Sequence, residues 1–251
     1  MNMIYSLLMI ILGLVLGSFY SCIGYRIPNK ISLLKPGSHC DHCKKKLKWY
    51  MNIPVVSYII LKGRCAYCDE RIDISNLYVE LFTGITFALS YLYFGLGMEL
   101  IVALTLISAL SITAVSDFKY YYISDRVIFI SLAVILGTYI YFLKFDEYKM
   151  YLAGMVVMFV IMLLVKVIGD KVAKKECLGG GDVKLMLLVG LSLGVVNGLI
   201  ALFLASVLAL IATLILREKY NEGLIPFGPF ILLGTTMVYI LAFANLIPVI
   251  G

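Results

Sequence analysis

Leu178-Gly179-Gly180-Gly181-Asp182-Val183-Lys184-Leu185 sets three glycines and an aspartate directly ahead of a long apolar run. An ionisable group at membrane depth costs about 2.5–3.5 kcal/mol on insertion scales, so a carboxylate in such a place is a functional residue by default. Whether it does lie at membrane depth depends on the rest of the chain. Of 251 residues 62% are hydrophobic, and the mean hydropathy of +1.00 exceeds what a soluble domain of that length uses. A hydrocarbon core about 30 Å thick takes roughly 20 apolar residues per helix. Eight stretches are predicted to span it: Met3 to Ile23, Leu77 to Phe94, Met98 to Val115, Ile123 to Leu143, Met150 to Ile168, Val183 to Val196, Leu199 to Leu216 and Ile225 to Ile247. The expected fold is an all-α polytopic membrane protein of about eight transmembrane helices.

Orientation follows from Lys and Arg, which accumulate in loops that stay in the cytoplasm. With the N-terminus outside, all of the 21 Lys and Arg except Lys144 and Lys149 fall on the cytoplasmic side. The inverted arrangement breaks the rule. The same bias holds the loops near anionic lipid headgroups, so the net charge of +6 needs no nucleic acid to explain it. Met1 to Cys22 has no positive residue ahead of its apolar run and no small-x-small cleavage site, so it is expected to remain as the first helix.

The segment from about Gly24 to Asn76 holds 10 of the 21 Lys and Arg and both histidines. It carries Cys40-Asp41-His42-Cys43 and, after 21 intervening residues, Cys65-Ala66-Tyr67-Cys68. Paired C-x2-C knuckles at that separation match a four-thiolate zinc site, and the surrounding Lys44, Lys45, Lys46, Lys62 and Arg64 favour thiolate over thiol. Disulfides are disfavoured in a reducing cytoplasm. His39 and His42 are expected to be bystanders, and Cys22 and Cys177 to be unliganded thiols. So short a polar segment has little core, which makes metal binding part of its folding free energy.

Other acids need separate readings. Glu80 lies one turn into the second span, where it either snorkels to the interface or faces a polar cavity. Ser124 or Asp125 suits the N-cap of the fourth span. Asp117 has no capping use, because negative charge at the end of a helix opposes the macrodipole. For Asp182 the structural alternative is an N-cap; the three glycines allow unusual backbone conformations and close approach of another chain. Gly13-x3-Gly17 and the Gly190, Gly194, Gly198 series allow helix backbones to meet closely in lipid. Pro226 and Pro229 stand where the last span can start. No Gly-x-Gly-x-x-Gly, Walker loop or Ser/His/Asp set occurs.

In this topology Asp117 and Asp182 both fall at the cytoplasmic membrane boundary. Two carboxylates brought within a few ångströms share a proton, so that one activates a water and the other polarises a carbonyl, which is aspartic-protease chemistry. At this point the chain resembles the type IV prepilin peptidases, membrane aspartyl proteases with a glycine-x-glycine-aspartate motif. The resemblance rests on Gly17-Ser18-Phe19, Tyr25-Arg26-Ile27-Pro28, the four cysteines and Asn52-Ile53-Pro54-Val55-Val56-Ser57-Tyr58. It continues through Leu61-Lys62-Gly63-Arg64-Cys65, Tyr78-Val79-Glu80, the Asp117 region, Gly179 to Leu185 and Pro226-Phe227-Gly228-Pro229-Phe230.

The resemblance implies an enzyme of the cytoplasmic (inner) membrane, its active site facing the cytoplasm. Such an enzyme removes the leader of prepilins or pseudopilins after a glycine and N-methylates the new N-terminus from S-adenosylmethionine. Asp117 and Asp182 match the catalytic aspartates, with Gly179, Gly181, Lys184 and Glu80 in supporting positions and Cys40, Cys43, Cys65 and Cys68 as zinc ligands. The implied organisation is residues 1–24 as first helix, 25–76 as zinc-binding, methyltransferase-associated domain, and 77–251 as seven-helix protease domain. The methyl-donor site has no signature in the residues. Two departures stand out: Asp41 replaces a common proline in the first knuckle, and Ser124-Asp125 replaces a usual proline-aspartate. The rival readings are a membrane transporter and a non-enzymatic pilus or secretion scaffold with a zinc docking loop. A transporter predicts acids at mid-span and inverted repeats, which are not evident.

Overall fold

The computed structural model describes residues 2–40, 42–176, 178–216 and 226–243. Asp41, Cys177, Arg217, Lys219 and both ends of the eighth expected span lie outside the described residues. Apart from two isolated bridges, regular structure among the described residues is helical: α1 (Asn2–Arg26), α2 (Val56–Ile60), α3 (Ile74–Phe94), α4 (Met98–Tyr120), α5 (Asp125–Phe142), α6 (Phe145–Ala173), α7 (Gly180–Leu216) and α8 (Gly228–Phe243), with a short 3₁₀ turn at Trp49–Asn52. Helices are the expected solution, since in lipid every backbone N–H and C=O has to be satisfied within the segment. Six of them, α1 and α3 to α7, are long and apolar enough to cross a membrane, and α8 is a shorter apolar helix. The chain divides into two compact units, Met1–Leu92 and Tyr93–Gly251.

In the first unit α1 packs on α3 through the glycines singled out by spacing. A Cβ on Gly13 would lie 2.6 Å from the Thr83 carbonyl oxygen, and one on Gly17 would lie 2.9 Å from Cα of Glu80. Backbone thus meets backbone with no side chain between. After α1 the Arg26 guanidinium, 7% exposed, donates to the carbonyls of Ser32 at 2.8 Å and of Leu33 and Gly37 at 3.4 Å. One buried cation thereby shapes the entry to the cysteine segment. Ahead of α2, Val55 has φ 62° and ψ −51°, and the N–H of Val56 reaches the Pro54 carbonyl at 2.6 Å. This is the rare γ-turn with positive φ, strained for any residue and more so for a β-branched one.

The second unit is built around α7. Its two expected spans, Val183 to Val196 and Leu199 to Leu216, are two helices that meet without a loop at a kink on Gly194, at φ 72° and ψ −165°. Contacts with α6 show what happens there. Lys166 on α6 donates to the Leu178 carbonyl, and Gly154 faces Gly190, so numbering rises on one chain as it falls on the other. Beyond the break Gly154 meets Gly194 and Met158 meets Gly198, so numbering rises on both. The chain therefore turns back at Gly194, two residues before the expected end of the sixth span, in a conformation that favours glycine. On the other side α8 packs on α7, where a Cβ on Gly234 would lie 2.7 Å from the Ala201 carbonyl oxygen. Helix α4 packs against α5 and α8, and α5 against α7. Helix α4 extends to Tyr120 rather than ending at Val115, and closes with Tyr121 in the left-handed region, φ 50°.

A Cβ on Gly190 would lie 2.2 Å from the Gly154 carbonyl oxygen, whereas one on Gly180 meets nothing within 4 Å. Gly190→Leu is therefore expected to destabilise the protein by about 1–3 kcal/mol or more through overpacking. Gly180→Ala is expected to be near neutral. Thermal unfolding of the two variants in the same detergent checks the contrast.

Candidate active site and metal centre

Asp117 occupies the last turn of α4, is 4% exposed, and accepts the backbone N–H of Gly228 at the head of α8. The left-handed stop at Tyr121 is tied to the same turn, since the Tyr121 N–H donates to the Asp117 carbonyl at 2.9 Å. Asp182 is the third residue of α7 and 7% exposed. It is not the N-cap: Gly179 precedes the helix, and its N–H donates to the Asp182 carboxylate. This is half of a capping box, with Asp reaching back from the third helical position. Only one carboxylate oxygen is used that way. Oδ1 is buried and receives no hydrogen bond from the described residues. The charge of Asp117 acts on Asp182, so α4 and α7 bring together the two acids that lie 65 residues apart in the sequence.

Gly181 and Gly228 serve approach rather than unusual φ, since the described glycines with positive φ are Gly63, Gly95 and Gly194. A Cβ on Gly181 would lie 2.8 Å from Cβ of Ile123, and one on Gly228 would lie 2.8 Å from Ile123 Cδ1 and 2.9 Å from Asp117 Oδ2. Ile123 thus fills the space between the heads of α7 and α8. Asp125 does not cap α5. Ser124 stands at the N-cap without a side-chain capping bond, and Asp125 instead pairs with Lys184 of α7 at 2.7 and 2.8 Å. Both side chains are about half exposed, at 52% and 43%, so the pair contributes at most about 1 kcal/mol. What it does is tether the loop after Asp117 to the helix carrying Asp182. Lys166 completes the frame: it pairs with Asp170 at 3.2 Å and Glu176 at 2.9 Å, holds the Leu178 carbonyl, and sets a positive charge near Asp182.

The cysteine segment is a duplicated turn. In the first copy the Cys40 N–H donates to the Lys45 carbonyl at 3.0 Å, the Lys44 N–H to Cys40 at 2.9 Å and the Leu47 N–H to Ser38 at 2.9 Å. In the second, Cys65 donates to Glu70 at 2.8 Å, Asp69 to Cys65 at 3.0 Å and Ile72 to Gly63 at 2.8 Å. Lys44 and Asp69 occupy equivalent left-handed positions, φ 58° and 57°, and the bridges His39 to Lys46 and Arg64 to Arg71 close the two turns. All four Sγ atoms lie within 4.8 Å of one another, with Cys40 and Cys68 at 3.8 Å. Tetrahedral zinc with Zn–S bonds of about 2.3 Å requires sulfur separations of about 3.8 Å. The cluster can hold such an ion, and His39, whose Nδ1 is 2.9 Å from the Gly37 carbonyl, is no part of it; nor is His42.

Charge on the sulfurs points the same way. The N–H of Tyr67 and then that of Cys68 draw the Cys65 thiol down to about 7 against the effect of burial. The N–H of Glu70 favours thiolate at Cys68, yet burial and the neighbouring sulfurs of Cys65, Cys43 and Cys40 leave that thiol pushed up to about 12. Negative sulfurs this close resist one another, and a dication among them removes the conflict.

Glu80 is the buried acid of the first unit, 8% exposed. It accepts the N–H of the strained Val55 at 2.8 Å and a bond from the Ser18 side chain. It does not snorkel. No cationic side chain pairs with it among the described residues.

Two family models match the chain, the bacterial peptidase A24 N-terminal domain over residues 11–94 and the type IV leader peptidase family over residues 104–214. A prepilin leader peptidase/N-methyltransferase of Bacillus subtilis is 32% identical over 237 residues, which is 93% of either chain. The chain belongs to the type IV leader peptidase family. A relative of the same description from Vibrio cholerae is 31% identical over 95% of this chain and 98% of its own, and one from Neisseria gonorrhoeae is 27% identical over 87% and 84%. No solved structure matches the chain. Asp117 and Asp182 both lie in the leader peptidase match, and Glu80 and the four cysteines in the N-terminal match.

Sequence spacing found both acids and all four sulfurs. It did not find Ile123, Lys166 or the Val55 turn, for which no local signal exists. Purified protein is expected to contain stoichiometric zinc by elemental analysis, and changing Cys40 and Cys43 to serine is expected to release it and leave the loop sensitive to proteolysis.

Proposed function

We propose that this protein cleaves the leader from prepilins or pseudopilins with Asp117 and Asp182 and N-methylates the new N-terminus. The observation that carries the cleavage half is the pair itself: two buried carboxylates on different helices, the charge of Asp117 acting on Asp182, whose Oδ1 is met by no donor among the described residues. Carrying one proton between them, the pair lets the ionised acid take a proton from water while the protonated acid donates to the scissile carbonyl oxygen. The water oxygen bonds to the carbonyl carbon; as the C–N bond breaks, the proton taken from water passes to the departing amine and the proton lent to the carbonyl oxygen returns to the pair. The hydrogen bonds from Gly179 and Gly228 hold each carboxylate in place for this, and Lys184 with Asp125 fixes the intervening loop.

The site stands at the ends of apolar helices, and a prepilin whose own apolar helix sits in the membrane presents its leader junction at that depth. In this reading that end of the helices faces the cytoplasm at the inner membrane with the N-terminus outside, which the distribution of Lys and Arg supports. Residues 1–24 form the first helix, 25–76 the zinc-binding, methyltransferase-associated segment and 77–251 the protease domain. Zinc held by Cys40, Cys43, Cys65 and Cys68 would be structural, tying together the two copies of the turn. S-adenosylmethionine, when bound, supplies a methyl group on a positively charged sulfur. A cation of that kind fits the carboxylate of Glu80, which is buried with no cationic partner among the described residues.

Asp117→Asn and Asp182→Asn are each expected to stop cleavage of a co-expressed prepilin, with the variant still folded and inserted. Mass spectrometry of the prepilin N-terminus reads leader loss and methylation together, and normal processing by both variants would remove the assignment. Gly228→Ala, which sets a methyl group against Asp117 Oδ2 and Ile123, is expected to lower cleavage at least about tenfold through misplacement of the carboxylate.

A further inference from the structure

The scissile carbonyl carbon has to stand between Asp117 and Asp182, and the Cα on its amino side is bonded to it directly, about 1.5 Å away. Whatever side chain that residue carries must find room beside the acids. Ile123 stands close to the backbone beside both acids. Ile123 lies against Gly181, the immediate neighbour of Asp182, with 2.8 Å between its Cβ and the position a Cβ would take. It lies equally close to Gly228, where the position of a Cβ is 2.8 Å from Ile123 Cδ1 and 2.9 Å from Asp117 Oδ2. The heads of α7 and α8 are thus glycine where they face Ile123, and a methyl group added at either displaces Ile123 or, at Gly228, the Asp117 carboxylate as well.

Ile123 is also held from both sides. Tyr121 ends α4 in a left-handed turn bonded back to Asp117, Ser124 is 3% exposed, and Asp125 is tied to Lys184 on α7. A side chain anchored in this way acts as a fixed wall. Its carbon count sets the volume left next to the carboxylates, as a pocket wall does in any enzyme that selects by size.

We propose that Ile123 is the specificity-determining residue that limits the size of the substrate residue on the amino side of the scissile bond. The proposal rests on the peptidase reading above. A residue that merely packed the fold would affect all substrates alike, so the readout is a ratio. Wild-type protein, Ile123→Val and Ile123→Ala are each co-expressed with one prepilin carrying Gly, Ala or Val at the residue before the cleavage point, and the cleaved fraction is measured by mass spectrometry. Wild type is expected to cut the Gly form and to lose about tenfold or more on the Ala form, the discrimination one methyl group supplies. Ile123→Ala is expected to raise the Ala-to-Gly cleavage ratio about tenfold while still cutting the Gly form, and Ile123→Val to shift it less in the same direction. An unchanged ratio in both variants overturns the proposal, and so does loss of cleavage of every form in both, which assigns Ile123 to the fold alone. Failure of wild type to cut any form instead overturns the peptidase reading, and the proposal with it.

Discussion

A carboxylate among apolar helices has to be held by something other than water, and this protein solves that problem twice with backbone amides. Asp182 takes the N–H of Gly179 at the start of its own helix, and Asp117 takes the N–H of Gly228 at the start of another. Each acid is therefore fixed by a helix N-terminus, where N–H groups lack intrahelical partners. The remaining architecture follows from this. Helices α7 and α8 have to begin beside the end of α4, and the residues at their heads have to be small enough to let that happen.

Glycine supplies the smallness, at the site and away from it. Gly181 and Gly228 admit Ile123; Gly154 and Gly190 let α6 and α7 touch backbone to backbone; Gly13 and Gly17 do the same for α1 and α3. Lipid offers no hydrophobic drive between helices, so close packing has to come from shape. Gly194 alone of these is needed for its φ, and it is where α7 turns back.

The first unit meets a different demand. A polar segment of about 50 residues buries too little to order itself, and its order comes from a turn used twice, a buried arginine at its entrance and four converging sulfurs. Glu80 adds a carboxylate that braces the strained Val55 turn. Glu80 is the buried acid of this unit among the described residues, as Asp117 and Asp182 are of the other.

Much of this was legible in composition and spacing. Hydropathy alone determines a polytopic helical protein, because the length of an apolar run is set by the thickness of the bilayer. The C-x2-C doublet points to a four-sulfur cluster, because zinc geometry tolerates few ligand sets, and the placement of Asp117 sets it apart because no capping role explains it. The tertiary structure decided what depends on distant residues meeting. It showed Asp182 as the third residue of α7 rather than its cap, Asp125 as the partner of Lys184, Gly181 as clearance for Ile123, and two expected spans as helices that meet at a kink on Gly194 with no loop between them. Ile123 has no signal in the sequence at all, since an isoleucine before a helix in a membrane protein is unremarked until the heads of two other helices are seen to close on it.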